Sequence, residues 1–336
     1  MKEALQWKSL DGGKVECRLC SHRCKIVDGA SGICTVRRNQ GGRLMATSYG
    51  KVSSMGPDPI EKKPLYHFMP GTRAFSLGGV GCNFRCDYCQ NWSISQDYSS
   101  RGLRQVQPDE VPVLALKNGC QSISWTYNEP AIWHEFALDS SKLAKTAGLA
   151  TTYVTNGYIT EEALREISPY LDAANVDVKG FTEEFYKRRC QAKLQPVLDT
   201  CVLALELGIF IEVTYLIIPT QNDTPDEIKR FCEWVRDSLG PDLPVHFSRF
   251  HPDFNYRDAP RTPMETMTMA YRAAKEAGLN FVYLGNIPHC DEENTICPEC
   301  GTLAIERAGF FVNRDVSRDG KCGQCGRGLN VVTEIP

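Results

Sequence analysis

Apolar runs and polar punctuation divide the chain into three stretches. Residues 1–70 show no sustained period, and Gly12-Gly13, Gly41-Gly42, Pro57, Pro59, Pro64 and Pro70 break them into loops. From residue 74 the pattern changes. Short apolar runs over 74–77, 122–127, 150–155, 174–178, 210–218, 245–250 and 281–284 predict strands. Amphipathic stretches over 131–147, 161–167, 196–207, 225–238 and 263–277 predict helices between them. Thr160, Thr182 and Thr224 each precede an acidic first turn, where a hydroxyl can accept from the free N–H groups of a helix start. Gly148 and Gly278 stand where two helices should stop. After residue 286 the alternation gives way to a short tail rich in Gly and Cys.

Strand–helix alternation of this length implies right-handed crossovers and a parallel sheet. The expected fold class is α/β, a partial (β/α)6 TIM-like barrel; a doubly wound open sheet is the competing architecture. The expected organisation is a Cys-rich N-terminal metal-binding segment over 1–70, the barrel over 71–286 and a C-terminal metal module over 287–336.

With 336 residues, 42% hydrophobic and 24% charged, the chain can bury a full core. Its net charge of −3 gives no basic field for nucleic acid or an anionic membrane. No apolar run reaches the ~18 residues of a membrane span, and the first residues lack the apolar core of a signal peptide. The expectation is a cytoplasmic protein without nucleic-acid or membrane partners.

Sixteen cysteines change that ordinary picture. A disulfide scaffold suits small secreted chains, whereas clustered cysteines in a reducing compartment more often hold metal. Eleven fall into three groups: Cys17/Cys20/Cys24/Cys34, Cys82/Cys86/Cys89 and Cys297/Cys300/Cys322/Cys325. Cys120, Cys201 and Cys232 read as small buried hydrophobes.

The central group lies just past the first barrel strand, in Gly78-Gly-Val-Gly-Cys82-Asn-Phe-Arg-Cys86-Asp-Tyr-Cys89. Three thiolates without a close fourth suit a [4Fe–4S] cluster with one iron left open. A zinc knuckle would favour four ligands in paired C-x2-C. The glycines do not match a dinucleotide loop, because cysteines occupy the expected helix start. They read as a tight turn, Gly79 included, whose backbone approaches a bulky cofactor.

Polar residues recur after successive strands, where a parallel barrel gathers its functional groups. They are Asn128-Glu129, Asn156, Asp177 with Lys179, and His246 with Arg249 and His251. Carboxylate, amides and cations at one mouth suit a zwitterionic, ribose-bearing ligand. His134 and Glu135 do not form H-E-x-x-H and read as surface or structural residues.

Cys82-x3-Cys86-x-Tyr88-Cys89 resembles the radical S-adenosylmethionine (SAM) signature. The resemblance implies that the open iron chelates SAM and that one electron splits it to a 5′-deoxyadenosyl radical, which abstracts hydrogen from a substrate. It implies Tyr88 near the adenine and Glu129 on the SAM ammonium, with Asn156, Asp177, Lys179 and His246 as further contacts. Pyruvate formate-lyase activases carry Gly-Gly-Glu-Pro where this chain reads Tyr127-Asn128-Glu129-Pro130, which removes the double glycine. The full layout, with Val36-Arg37-Arg38-Asn39, Asp58-Pro59-Ile60-Glu61-Lys62-Lys63-Pro64 and Gly285-Asn286-Ile287, resembles AmmeMemoRadiSam-system radical SAM enzymes, distant relatives of those activases.

Cys297-x2-Cys300 and Cys322-x2-Cys325 form a zinc-ribbon or rubredoxin-like pair, for Zn²⁺ or iron. Cys17-x2-Cys20-x3-Cys24-x9-Cys34 suits zinc or an auxiliary Fe–S cluster, its short polar segment favouring zinc. His22 reads as a neighbour of that group rather than a ligand. The lead expectation is a radical SAM oxidoreductase acting on a peptide, protein or small molecule, served by an external flavodoxin- or ferredoxin-like electron donor. The alternatives are a glycyl-radical-enzyme activase and a non-enzymatic Fe–S redox carrier. An RNA-binding zinc-ribbon protein conflicts with the acidic balance.

Overall fold

The computed structural model describes residues 1–98, 102–288 and 290–335. Eight strands make the main sheet: β1 (Ser54–Pro59), β2 (Arg73–Gly78), β3 (Ser122–Trp125), β4 (Ala150–Thr155), β5 (Ala173–Asp177), β6 (Phe210–Ile217), β7 (Val245–Arg249) and β8 (Val282–Gly285). From β3 to β8 each strand lies parallel to its predecessor and directly beside it. A doubly wound sheet reverses its strand order at a switch point. This order never reverses, so the winding is that of a barrel.

The crossovers carry α1 (Glu110–Lys117), α2 (His134–Thr146), α3 (Glu161–Ile167), α4 (Gln195–Glu206), α5 (Pro225–Trp234) and α6 (Met264–Glu276). The three threonine caps form: Thr160, Thr182 and Thr224 accept from the N–H groups of Ala163, Phe185 and Glu227 at 3.3, 3.2 and 3.3 Å. Gly148 and Gly278 end α2 and α6 with φ of 70° and 92°. α1 was not legible as a helix; it is short, and Pro112 sits in its first turn.

β1 belongs to the stretch expected to be loop. It pairs antiparallel with β2 at the sheet edge, where Pro57 and Pro59 are tolerated because their missing N–H groups need no ladder partner. The expected division after residue 70 therefore cuts between two paired strands of one sheet.

One end of the barrel is floored. Ala74, Ala150 and Ala173, at the starts of their strands, pack with Ile60, Leu65, Phe68 and Met69. Beneath lies a three-stranded antiparallel module, β9 (Thr295–Ile296), β10 (Leu303–Ala308) and β11 (Phe311–Asp315). Its Ala304, Ile305, Cys297, Cys322 and Leu329 share a buried cluster with Tyr66, Phe281 and Tyr283. At the N-terminus, Trp7–Ser9, Val15–Cys17 and Lys25–Ile26 form a small antiparallel sheet. Among the described residues no helix is long and apolar enough to cross a membrane.

Candidate active site and metal centres

The central cysteines occupy the loop that leaves β2 at the unfloored end of the barrel. Asn128, in the turn after β3, holds that loop from both sides. Its Oδ1 accepts from the Gly79 N–H at 2.9 Å, and its Nδ2 donates to the Gly81 carbonyl at 2.9 Å. Side chains are excluded along this stretch. A Cβ on Gly79 would stand 3.0 Å from the Trp133 ring, and one on Gly81 2.6 Å from the Cys34 carbonyl oxygen, with Gly81 at φ 83°. Tyr127 takes φ 73°, the left-handed conformation that glycine favours, and its hydroxyl donates to Asp58 at 2.6 Å. The turn thus keeps a glycine-like backbone without the double glycine.

Cys82 Sγ accepts from the Phe84 N–H at 3.4 Å and lies 3.8 Å from Asn156 Nδ2. Burial, the Glu129 charge and the Cys86 and Cys89 sulfurs push the Cys82 thiol well above its usual range. Cys86 is driven the same way, first by hydrogen bonding to Cys190 and then by burial. Neighbouring thiols that resist ionising suit a multivalent iron centre, which supplies the missing positive charge. The donor set therefore fits a [4Fe–4S] cluster.

Glu129 is 2% exposed. Its carboxylate accepts from Thr155 Oγ1 at 2.6 Å, the Ala131 N–H at 2.9 Å and the Asn156 N–H at 2.8 Å. Burial raises its pKa to about 7, against these bonds and the Lys179 charge. Asn156 joins this carboxylate to the cysteine loop, since its Nδ2 also donates to Asn83 Oδ1 at 2.8 Å. Past β5, Lys179 Nζ donates to Asp177 at 3.0 Å. Burial opposes its charge, yet Asp177, Cys86 and Cys190 hold the ammonium well above its ordinary range. Glu129, Asn156, Asp177 and Lys179 thus gather around Cys82 and Cys86.

Tyr88 is packed inside the cysteine loop, whereas His246 sits elsewhere than expected. The Tyr88 ring is turned inward, 4% exposed, with its hydroxyl 3.5 Å from Cys190 Sγ. His246 is the second residue of β7 and faces the floor. Its Nε2 meets Glu212 Oε2 at 2.6 Å, while Glu212 Oε1 accepts from the His67 N–H at 2.7 Å. His67 Nε2 meets the Tyr283 hydroxyl at 2.5 Å, and Tyr283 meets Thr295 at 2.8 Å. The structure therefore does not bring His246 to the cysteine loop; period-two alternation gives the face of a strand but not the height within the barrel.

Two groups escaped sequence reasoning. Cys190 ends the π-turn Tyr186–Cys190 and is fully buried beside Tyr88 and Cys86, with its carbonyl accepting from the Arg85 N–H at 3.0 Å. The segment after β7 reaches back over the mouth. The Asn255 N–H donates to the Asp87 carbonyl at 3.0 Å, and Phe254 stacks on Trp92 at 5.1 Å. His251 is exposed on that segment, whereas Arg249 Nε is tied to the Thr262 carbonyl at 2.7 Å. His134 and Glu135 are fully buried rather than superficial, each in a polar pair.

The C-terminal four form a compact centre. Cys297, Cys300, Cys322 and Cys325 have ligand atoms all within 4.8 Å of one another. Cys297 and Cys325 stand 3.6 Å apart, and Cys300 and Cys322 3.7 Å. A tetrahedral ion with Zn–S bonds near ~2.3 Å separates its sulfurs by roughly 3.8 Å. The set fits one closed tetrahedral ion, zinc or iron.

A cysteine loop at the end of a barrel strand, facing a buried carboxylate, an amide and a lysine, defines a class, and the sequence comparison agrees: the chain belongs to the radical SAM superfamily, whose family model matches residues 77–235. Members of that superfamily are enzymes built around a [4Fe–4S] cluster and SAM. An uncharacterized protein of Methanocaldococcus jannaschii is 46% identical over 99% of this chain and 100% of its own length. The pyruvate formate-lyase-activating enzyme of Clostridium pasteurianum is 24% identical over 53% of this chain and 80% of that enzyme. A crystal structure of a domain of the corresponding enzyme from Bacteroides vulgatus ATCC 8482 aligns with a TM-score of 0.44 at 16% identity, over 49% of this chain and 99% of that one.

Proposed function

We propose that the protein binds a [4Fe–4S] cluster on Cys82, Cys86 and Cys89 and cleaves SAM reductively, to abstract hydrogen from a peptide, protein or small-molecule substrate. When bound, the cluster and SAM supply the 5′-deoxyadenosyl radical; the chain supplies orientation and charge. Glu129 accepts from the SAM ammonium. It is preorganised for this by Thr155 and by the backbone at Ala131 and Asn156, so ligand binding need not order it. Lys179, held by Asp177, offers its cation to the SAM carboxylate. Gly79 lets the backbone approach the ligand, and Tyr88 steadies the loop through Cys190. His246 is left to the floor network. The segment carrying Phe254 and Asn255 bounds the side from which substrate approaches.

The observation that carries this reading is the position of Asn156, which touches both Cys82 Sγ and the Glu129 carboxylate and so puts thiolate and carboxylate within one ligand's reach. The test is anaerobic reconstitution with iron and sulfide, dithionite reduction and chromatographic assay of 5′-deoxyadenosine. Product that disappears with Cys82→Ala supports the assignment. No product, with a cluster EPR signal unchanged by SAM, refutes it. A glycyl-radical EPR signal raised in a partner protein would identify the activase variant of this chemistry.

A further inference from the structure

Four thiols at the N-terminus belong to neither centre described so far. The Cys17 N–H donates to the Cys24 carbonyl at 2.9 Å, which closes the turn that carries Cys20. A Cβ on Gly32, two residues before Cys34, would lie 3.5 Å from Cys24 Sγ. Cys17, Cys20 and Cys34 are buried and Cys24 is half-buried. The bond from Cys17 to Cys24 and the approach of Gly32 to Cys24 fold the turn and the Cys34 end of the segment against one another.

Their spacing differs from that of the C-terminal set. Among the described residues, only Cys297, Cys300, Cys322 and Cys325 bring three or more ligand atoms within 4.8 Å of one another. No three of the N-terminal sulfurs lie that close together. One tetrahedral ion needs the narrow spacing, whereas an iron–sulfur cube binds each thiolate to a different iron and spreads them apart. Arg37, 1% exposed, ties the segment to α2 through Glu135, and its carbonyl accepts from the Gly32 N–H at 2.9 Å.

This segment sits directly on the central loop. The Cys34 carbonyl packs on Gly81, the residue before Cys82. Arg85 donates to the Ile33 carbonyl, and His22 Nε2 meets the Asn83 carbonyl at 2.8 Å. The way from Cys34 to Cys82 is thus one van der Waals contact and one peptide.

We propose that Cys17, Cys20, Cys24 and Cys34 hold a second iron–sulfur cluster, closed by four thiolates, which relays electrons from a low-potential one-electron protein donor to the central cluster. One electron leaves the donor, reduces the N-terminal cluster and moves on to the central one; no bond or proton changes place. The existence of this cluster is independent of the SAM reading, and its relay role rests on it.

The first test uses the full chain with Cys82, Cys86 and Cys89 all changed to Ala, prepared anaerobically. Residual iron and acid-labile sulfide in equal amounts, about four of each per chain, are expected for a cube. A further Cys17→Ala and Cys20→Ala change should remove them. Zinc at this site without sulfide overturns the proposal, and the triple variant alone decides it if the further change unfolds the segment. For the relay, 5′-deoxyadenosine formation is driven by reduced flavodoxin and by dithionite in wild type and in Cys20→Ala. The ratio of the two rates should fall about tenfold or more in the variant, some 1.4 kcal/mol in the barrier. An unchanged ratio overturns the relay. Absence of product from wild type under dithionite counts against the SAM reading and leaves the metal analysis standing.

Discussion

Arg37 and Glu135 meet fork to fork, Nη1 to Oε1 at 3.0 Å and Nη2 to Oε2 at 2.6 Å, each 1% exposed. The pair pins the N-terminal segment to the start of α2, and Glu135 also accepts from the Leu5 N–H at 2.9 Å. Breaking one partner of such a pair leaves a buried charge alone, at a cost of about 3–5 kcal/mol. Glu135→Gln is expected to lower stability to urea by that order. Arg37→Met with Glu135→Leu should recover much of the loss, because two apolar side chains leave no charge stranded. A double variant no more stable than Glu135→Gln would contradict this.

Glu129 makes folding sensitive to pH. Burial raises its folded pKa to about 7 from an ordinary 4.5. The folded chain therefore holds this proton more tightly than the unfolded chain, and stability falls as pH rises from 4.5 to 7. The full difference is about 3 kcal/mol, reached above pH 7. Glu129→Gln should flatten that slope in denaturation curves taken across the window.

On the proposed reading the same carboxyl sets the affinity for SAM. Only the ionised form accepts from an ammonium, so SAM affinity should drop about tenfold per unit as pH falls below 7. Calorimetric titration at pH 6 and pH 8 measures this. Equal affinities at both would remove Glu129 from the ligand's contacts.

Asn128 offers a test of the cysteine loop. Asn128→Ala removes two hydrogen bonds to the loop backbone, each contributing about 1 kcal/mol. Iron bound at the central site after reconstitution should fall while the C-terminal metal is unaffected. Asn128→Asp keeps the acceptor for Gly79 and loses the donor for Gly81, and should fall between the two.

Removing the C-terminal metal should act on the floor. Cys297 and Cys322 share a buried cluster with Tyr66, Phe281 and Tyr283. Chelation is expected to lower Tm and to change the near-ultraviolet circular dichroism of those tyrosines, with one metal ion released per chain, as a single tetrathiolate site requires. Release without a change in tyrosine signal would uncouple the module from the barrel.

Most of the barrel could be read from sequence because its strands are continuous apolar runs and its helices carry threonine caps and terminal glycines. Glu129, Asn156, Asp177 and Lys179 were readable because parallel strands deliver their following residues to one end. What escaped depends on contacts between distant parts of the chain. β1 contains two prolines and shows its strand character only against β2. The Arg37–Glu135 pair and the approach of Cys190 to Cys86 leave no mark on local period. His246 could be placed on the inner face of its strand, but its partner Glu212 sits on β6, and only the stagger of neighbouring strands sets that height.

The floor network from His67 through Tyr283 to Thr295 and the mouth group around Glu129 lie at opposite ends of the strands and share no hydrogen-bond partner. Free-energy changes at separated sites without common partners add to within about 0.3–0.5 kcal/mol. Losses of stability at the mouth and at the floor should therefore sum, so that a destabilising change above the strands can be made up by a stabilising one below them without disturbing the mouth.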